Sequence, residues 1–193
     1  ILIKSAQDLE VLSQADTIVL DKTGTITKGK PTVTDVICVD IDEKEFLSLA
    51  GSIESLSSHP LAKAIVEYVT DQGIKIESID SFENIQGQGL KAVYKDKVIL
   101  SGNKRLMEAN SIDLRDVLDK SEMLAKVGKT PLYYAYNGKI VGMIVVSDIL
   151  KDTSKQAIDM LKDNKLNVYM LTGDNKFTAK AIAAQLGIEA IAE

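Results

Sequence analysis

The stretch TIVLDKTGTITKGKP, residues 17–31, carries an apolar run onto Asp21 and then into Lys22, Thr23, Gly24 and Thr25. Aspartate is a poor strand residue and its charge is costly to bury unpaired, so something at that strand end must use it. A carboxylate beside threonine hydroxyls and the backbone N–H groups of a glycine turn suits a phosphate. It can act there as a nucleophile or bind Mg²⁺. A second stretch, MLTGDN at 170–175, repeats the arrangement. Thr172 and Gly173 could add donors from a neighbouring strand end, and the helix that follows would aim its positive N-terminus at the same place. Asp21 taken singly also reads as the start of a turn, and Asp174 or Asn175 as a helix cap. For Asp174 alone the cap is the better reading. The two loops together favour a phosphate site.

Such residues need strand ends to hold them. Thr17 to Leu20 is a short apolar run, the pattern of a strand buried on both faces, and Val168 to Leu171 is another. AQDLEVLSQA ahead of the first predicts a short helix. DTSKQAIDMLKDNK predicts an amphipathic helix with Ala157, Ile158 and Leu161 inward. NKFTAKAIAAQLGI predicts a second, with Ala179, Ile182, Ala183 and Leu186 on one face and Gly187 as its stop. Helix, strand, loop, helix is the grammar of a parallel α/β sheet, whose chemistry sits beyond the carboxyl ends of the strands.

The middle of the chain follows a different pattern. It predicts a strand at 33–39, helices over EKEFLSLAGSIES and PLAKAIVEYVTDQ, and strands near 80–85, 90–94 and 97–101. Helices near 103–109 and 113–127 precede a hairpin, PLYYAY, Asn137-Gly138, KIVGMIVV, in which Asn-Gly signals a type I′ turn. This is an α+β unit with antiparallel sheet. Residues 1–27 and 147–193 are expected to form the α/β core and 28–146 the insert, with linkers near Lys28–Pro31 and Val146–Asp148.

Composition narrows the classes. The chain has 193 residues, 45% apolar and 26% charged, and a formal charge of −5 with no basic cluster, which argues against nucleic acid as a partner. The lone Cys38 excludes a disulfide framework and a multi-cysteine metal site, and reads as a small apolar strand residue. Asp35, Asp40 and Asp42 read as solvated carboxylates. No apolar run has the length of a membrane-spanning helix. Starting at Ile1 and stopping after IEAIAE, the chain reads as a piece of something longer.

DKTGTITKGKP resembles the phosphorylation motif of P-type ATPases, matching it without a gap from Asp21 to Thr27. MLTGDN resembles that family's second catalytic segment, and SHPLAKAIV with GQG resembles its heavy-metal-transporting branch, the copper exporters best. The resemblance runs the whole chain in order. It implies a haloacid-dehalogenase-like parallel-sheet core, truncated at its C-terminal end, with an inserted nucleotide-binding domain. It also implies that Asp21 attacks the γ-phosphate of ATP to form an aspartyl phosphate, with Mg²⁺ held by the Asp21 carboxylate and the Thr23 carbonyl. Lys22, Thr25 and Thr172 would steady the transferred group, Gly173 would let the backbone come close, and Asp174 belongs to the same segment. Asp148 matches the hinge to the insert. Adenine on the insert and phosphate at Asp21 would require the two domains to close for transfer.

In the insert the family's nucleotide contacts correspond to Glu54, His59, Gly87, Gly89 and Asn103. His59 precedes Pro60, which fixes the chain's only imidazole at a helix start, where it can stack on adenine. Glu54 can accept from the adenine amino group, and the two glycines remove side chains where a ligand presses on a strand. Singly, His59 reads as well as a surface residue at a cap, Gly87 and Gly89 as a bulge, and Asn103 as an N-cap. Together, at the family's spacing, they favour binding.

Two departures stand out. Ser58 occupies a place where the branch commonly has glutamate, and the family's next segments, which supply a lysine and a further Mg²⁺ carboxylate, would lie beyond Glu193. Nucleotide binding with little or no turnover is therefore expected of this chain, as a monomer. The parent would be a membrane pump whose membrane helices and actuator domain are partners, with this region on the cytoplasmic side. A soluble phosphatase or phosphomutase of the haloacid-dehalogenase type is the alternative. Such enzymes carry an acid/base aspartate two residues after the nucleophile, and here that place is Thr23, which favours a long-lived aspartyl phosphate.

Overall fold

The computed structural model describes residues 5–172 and 176–192. In chain order the described elements begin with helix α1 (Ala6–Ser13), strand β1 (Thr17–Asp21), a wide turn over Lys22–Ile26 and strand β2 (Thr27–Cys38). Helices α2 (Glu43–Glu54) and α3 (Pro60–Asp71) lead to strands β3 (Ser81–Ile85), β4 (Gly89–Tyr94) and β5 (Lys97–Gly102). Helices α4 (Lys104–Ala109) and α5 (Arg115–Lys126) precede the hairpin of β6 (Thr130–Tyr136) and β7 (Lys139–Leu150). Helix α6 (Ser154–Asp163), strand β8 (Asn167–Thr172), helix α7 (Lys176–Leu186) and strand β9 (Glu189–Ala192) follow. The chain divides into one unit of Ile1–Gly29 with Leu150–Glu193 and another of Lys30–Ile149.

In the second unit, six strands form a sheet of order β2-β7-β6-β5-β4-β3. From β3 through β7, successive strands pair antiparallel. Both faces are covered, because the strands alternate their apolar residues to two sides. Phe46, Ile53, Ile65 and Val69 of α2 and α3 pack with Ile99, Tyr134 and Ile144 on one face. On the other, Leu106, Met107 and Val117 of α4 and α5 pack with Leu100, Tyr133 and Met143. Side-chain caps start α2, α3 and α4. Asp42 accepts from the N–H groups of Lys44 and Glu45 to cap α2, a bond that contributes about 1 kcal/mol. Asn137 and Gly138, at φ 51° and 79°, form the expected tight turn of the hairpin.

The first unit holds a parallel sheet of order β1-β8-β9. Ile158 of α6 and Ala179, Ile182, Ala183 and Leu186 of α7 bury against Val168 and Met170, with Ile18 and Leu20 beside them. Gly187 takes φ 68°, and the next N–H, of Ile188, returns to the Ala183 carbonyl to end α7 as expected.

Several expectations need correction. The stretches expected as linkers, 28–31 and 146–148, are strand, lying within β2 and β7, and the chain divides at or beside them, at 29/30 and 149/150. Those strands are neighbours in one sheet, so pairing can carry on through both stretches. Pro31 is tolerated because β2 is an edge strand. Strand β1 is buried on one side only, with Val19 50% exposed, because α6 and α7 pack over Ile18 and Leu20. Ala157 is exposed, since Ile158 and Leu161 alone carry the inner stripe of α6. Strand β9 escaped the sequence reading because it is a four-residue run too short for its alternation to register.

Candidate functional site

A cavity of about 360 Å³ opens in the second unit, lined by Glu54, His59, Gly87, Gly89 and Asn103 among others. Five sequence candidates from four places in the chain thus share one wall. Each is positioned by its backbone setting. His59 is the N-cap of α3, with Pro60 at the first helical position, and its Nδ1 accepts from the Leu61 N–H at 3.2 Å. That bond fixes the ring's orientation, and the side chain stays exposed. The capping reading and the lining of the cavity are therefore the same arrangement. Asn103 likewise caps α4, its Oδ1 accepting from the Leu106 N–H at 3.2 Å, while its Nδ2 donates to the Gly87 carbonyl at 2.9 Å.

The glycines here serve two needs. Gly87 sits in the turn before β4 at φ 69°, with open space where a Cβ would be. Gly89 stands at φ 144°, where a Cβ would fall 2.1 Å from the Ser101 carbonyl oxygen. Its cross-strand partner is Gly102, where a Cβ would meet the Gln88 carbonyl oxygen at 2.2 Å. The two backbones approach so closely that no side chain fits at either position. Gly102 was not among the sequence candidates. Its signal was the glycine at a strand end next to Asn103.

Glu54 is the last residue of α2 and is 5% exposed. Its Oε1 accepts from the Ser101 hydroxyl and, at 2.8 Å, from the Tyr134 hydroxyl. Burial pushes its carboxyl above the usual carboxylate range, against the two hydroxyl bonds and the nearby His59, which favour the ionised form. Ser101 and Tyr134 face each other across β5 and β6. Nothing in the runs KVILSG and PLYYAY singled them out.

Asp21 ends β1, and its register partner Leu171 is followed directly by Thr172, so both loops leave the same edge of the parallel sheet. Asp21, Thr23, Gly24 and Thr25 are exposed, Lys22 is half-buried and Thr172 is buried. The turn over 22–26 is held from beneath. The Thr27 hydroxyl, fully buried, donates to the Lys22 carbonyl at 3.0 Å and accepts from the Gly24 N–H at 3.2 Å. Lys151 Nζ donates to the Gly24 carbonyl at 2.6 Å, and the Ser154 hydroxyl to the Ile26 carbonyl at 2.6 Å. Lys151 and Ser154 were not anticipated, because nothing local links them to a turn so distant in sequence. Gly173 and Asp174 lie outside the described residues. Asp148 lies in β7, two residues before that strand ends at Leu150. Among the described residues no cluster of three or more His, Cys, Asp or Glu could hold a metal ion. Asp35 instead pairs with Lys129 at 2.7 Å, and Asp42 caps α2.

Residues 15–193 match the family model of the haloacid dehalogenase-like hydrolases. The copper-exporting P-type ATPase of Staphylococcus saprophyticus is 44% identical over 99% of this chain, which covers 24% of that protein. The chain thus spans about a quarter of the length of the curated relatives it matches. A zinc-transporting PIB-type ATPase solved in the E2.Pi state superposes with a TM-score of 0.84 at 32% identity, over 99% of this chain and 31% of that one. The catalytic domain of the CPx-ATPase CopB-B, whose conformational changes upon nucleotide binding were determined, gives 0.72 at 30% identity, over 99% and 68%. No helix among the described residues is long and apolar enough to cross a membrane.

Proposed function

Because the chain belongs to the haloacid dehalogenase-like hydrolase family, we propose that it is the ATP-binding and phosphorylation region of a heavy-metal-transporting P-type ATPase, with Cu⁺ as cargo. The observation that carries this reading is the pairing of two sites. Five candidate nucleotide contacts line one cavity in the second unit. Asp21 and Thr172 end neighbouring parallel strands in the first. Copper is favoured because curated relatives that match over nearly the whole chain, at 38–44% identity, are copper-exporting or copper-transporting ATPases.

In this reading adenine occupies the cavity, stacked on His59 and accepted at its amino group by Glu54. Gly87, Gly89 and Asn103 shape the wall that the nucleotide meets. Asp21 is exposed and therefore reachable, and its carboxylate attacks the γ-phosphorus while ADP leaves, giving an aspartyl phosphate. Lys22, Thr25 and Thr172 hold the phosphoryl oxygens, with Gly173 and Asp174 completing that segment. The Asp21 carboxylate and Thr23 carbonyl are an all-oxygen set that fits Mg²⁺, which takes few protein ligands and keeps waters and phosphates. When bound, Mg²⁺ would supply charge neutralisation between carboxylate and phosphate. Thr23 stands where the family's phosphatases place an acid/base aspartate, so hydrolysis of the acyl phosphate has no proton donor at that position. In the parent protein this region would face the cytoplasm and work with membrane helices and an actuator domain.

An amide NMR titration of the full chain with ATP tests the reading, with ADP and AMP alongside. Shifts centred on Glu54, His59, Gly87, Gly89 and Asn103 are expected. A response confined to the turn at 22–26, with the cavity silent, would remove the adenine site and return the phosphatase reading.

A further inference from the structure

The adenine-site reading makes Glu54 an acceptor, yet a carboxyl group buried to 5% exposure has two ways to fail at that task. It can rotate about its terminal torsion, which is broad and roughly two-fold, or it can take up a proton and become a donor. Two hydroxyls counter both. Ser101 of β5 and Tyr134 of β6 are register partners on the sheet face that α2 covers, and both donate to the same oxygen, Oε1. Tyr134 is itself held: its ring meets Phe46 edge-on at 5.5 Å, and it is 1% exposed. Ser101 is 2% exposed, and its backbone carbonyl abuts Gly89. Neither hydroxyl is a solvated group that happens to lie near a carboxylate. The Tyr134 phenol is held by ring packing, and the Ser101 backbone by its close approach to Gly89.

We propose that Ser101 and Tyr134 are the positioning residues that set purine specificity, pinning Glu54 through Oε1 so that its remaining lone pairs select a 6-amino purine over a 6-keto purine. The proposal rests on the adenine-site reading above. An ionised carboxylate only accepts, so it pairs with the N6 amino group of adenine and repels the O6 of hypoxanthine or guanine. Donors on Oε1 favour that ionised state against the burial that opposes it. Remove them, and the carboxyl gains both freedom to rotate and a tendency to carry a proton. A protonated carboxyl can donate to a 6-keto group, and discrimination is lost while the cavity keeps its shape.

The test measures dissociation constants for ATP and ITP, which differ at the 6-position. The full chain is compared with Ser101→Ala, Tyr134→Phe and, as the limit of lost discrimination, Glu54→Gln. A merely structural role would weaken both nucleotides alike. A positioning role moves their ratio. The preference for ATP over ITP is expected to fall by roughly tenfold in Ser101→Ala and in Tyr134→Phe, toward the Glu54→Gln value. An unchanged ratio in both single variants, with the unaltered chain still preferring ATP, would overturn the proposal while sparing the adenine site. An unaltered chain that binds ATP and ITP equally, or neither, would overturn the adenine site and the proposal with it. Thermal unfolding identifies any variant that fails to fold. If Tyr134→Phe does, the Ser101→Ala ratio decides.

Discussion

The cavity and the phosphorylation loop solve opposite problems. At the cavity, the groups proposed to meet the ligand are also structural members: His59 and Asn103 cap helices, Glu54 anchors two hydroxyls, and Gly89 permits a backbone crossing. At the loop the two duties fall on different residues. Asp21, Thr23 and Thr25 are exposed, while Thr27, Lys151 and Ser154 hold the turn from below. Substitutions at the cavity should therefore disturb fold and binding together, whereas in the loop the two should separate.

The largest effect is expected at Gly89. Alanine there places a Cβ 2.1 Å from the Ser101 carbonyl oxygen at φ 144°, and backbone cannot yield as a side-chain tip can. A loss of about 3 kcal/mol in the second unit is expected, with ATP binding lost alongside. Gly87→Ala is the control that sharpens the point. It faces open space and carries only the positive-φ cost, about 1 kcal/mol. Hydrogen exchange of amides in β4 and β5 reads both. Equal protection loss in the two variants would show that close approach is not what Gly89 serves.

Thr27→Val should come next. Valine keeps the volume but removes the hydroxyl that links the Lys22 carbonyl to the Gly24 N–H in a fully buried setting. The expected cost is about 2 kcal/mol, confined to the first unit. It should appear as loss of amide protection over 22–26, with β4 and β5 unchanged. Chemical shifts at 22–26 that match the unaltered chain would show that Lys151 and Ser154 suffice to hold the turn.

What could be read in the sequence follows the same division. Asp21 was legible because a charged residue at the end of an apolar run demands a use, and the cavity residues because His-Pro and paired glycines are unusual local chemistry. Helices α2, α3 and α7 were legible from their apolar stripes and stops. Thr27 was visible as part of a motif, but its task was not, since a buried hydroxyl serving two backbone groups looks like any threonine. Ser101 and Tyr134 were illegible because their role depends on strand register, which pairs residues far apart in the chain. That the stretches joining the two units run on as strand was not legible, since nothing local in 28–31 or 146–148 says that they pair in a sheet. The exposed Val19 face of β1 failed because an apolar run does not say how many faces will be covered.

The smallest expected effect is the one that most directly tests the separation of duties. Asp21→Asn removes a charge from an exposed side chain at a strand end, in a different unit from the cavity. ATP affinity should stay within about twofold, because the proposed adenine contacts all lie in the other unit. His59→Gln should weaken ATP severalfold, since the stacking surface goes while the capping acceptor is only partly replaced. The double variant decides what the single ones cannot. If adenine binding and phosphate acceptance are independent in the ground state, the two effects on affinity multiply, and Asp21→Asn changes the His59→Gln affinity by no more than the about twofold it shows alone. A double variant much weaker than that product would mean that the Asp21 loop already contributes to holding ATP before transfer, and that the division between the two regions belongs to the fold alone.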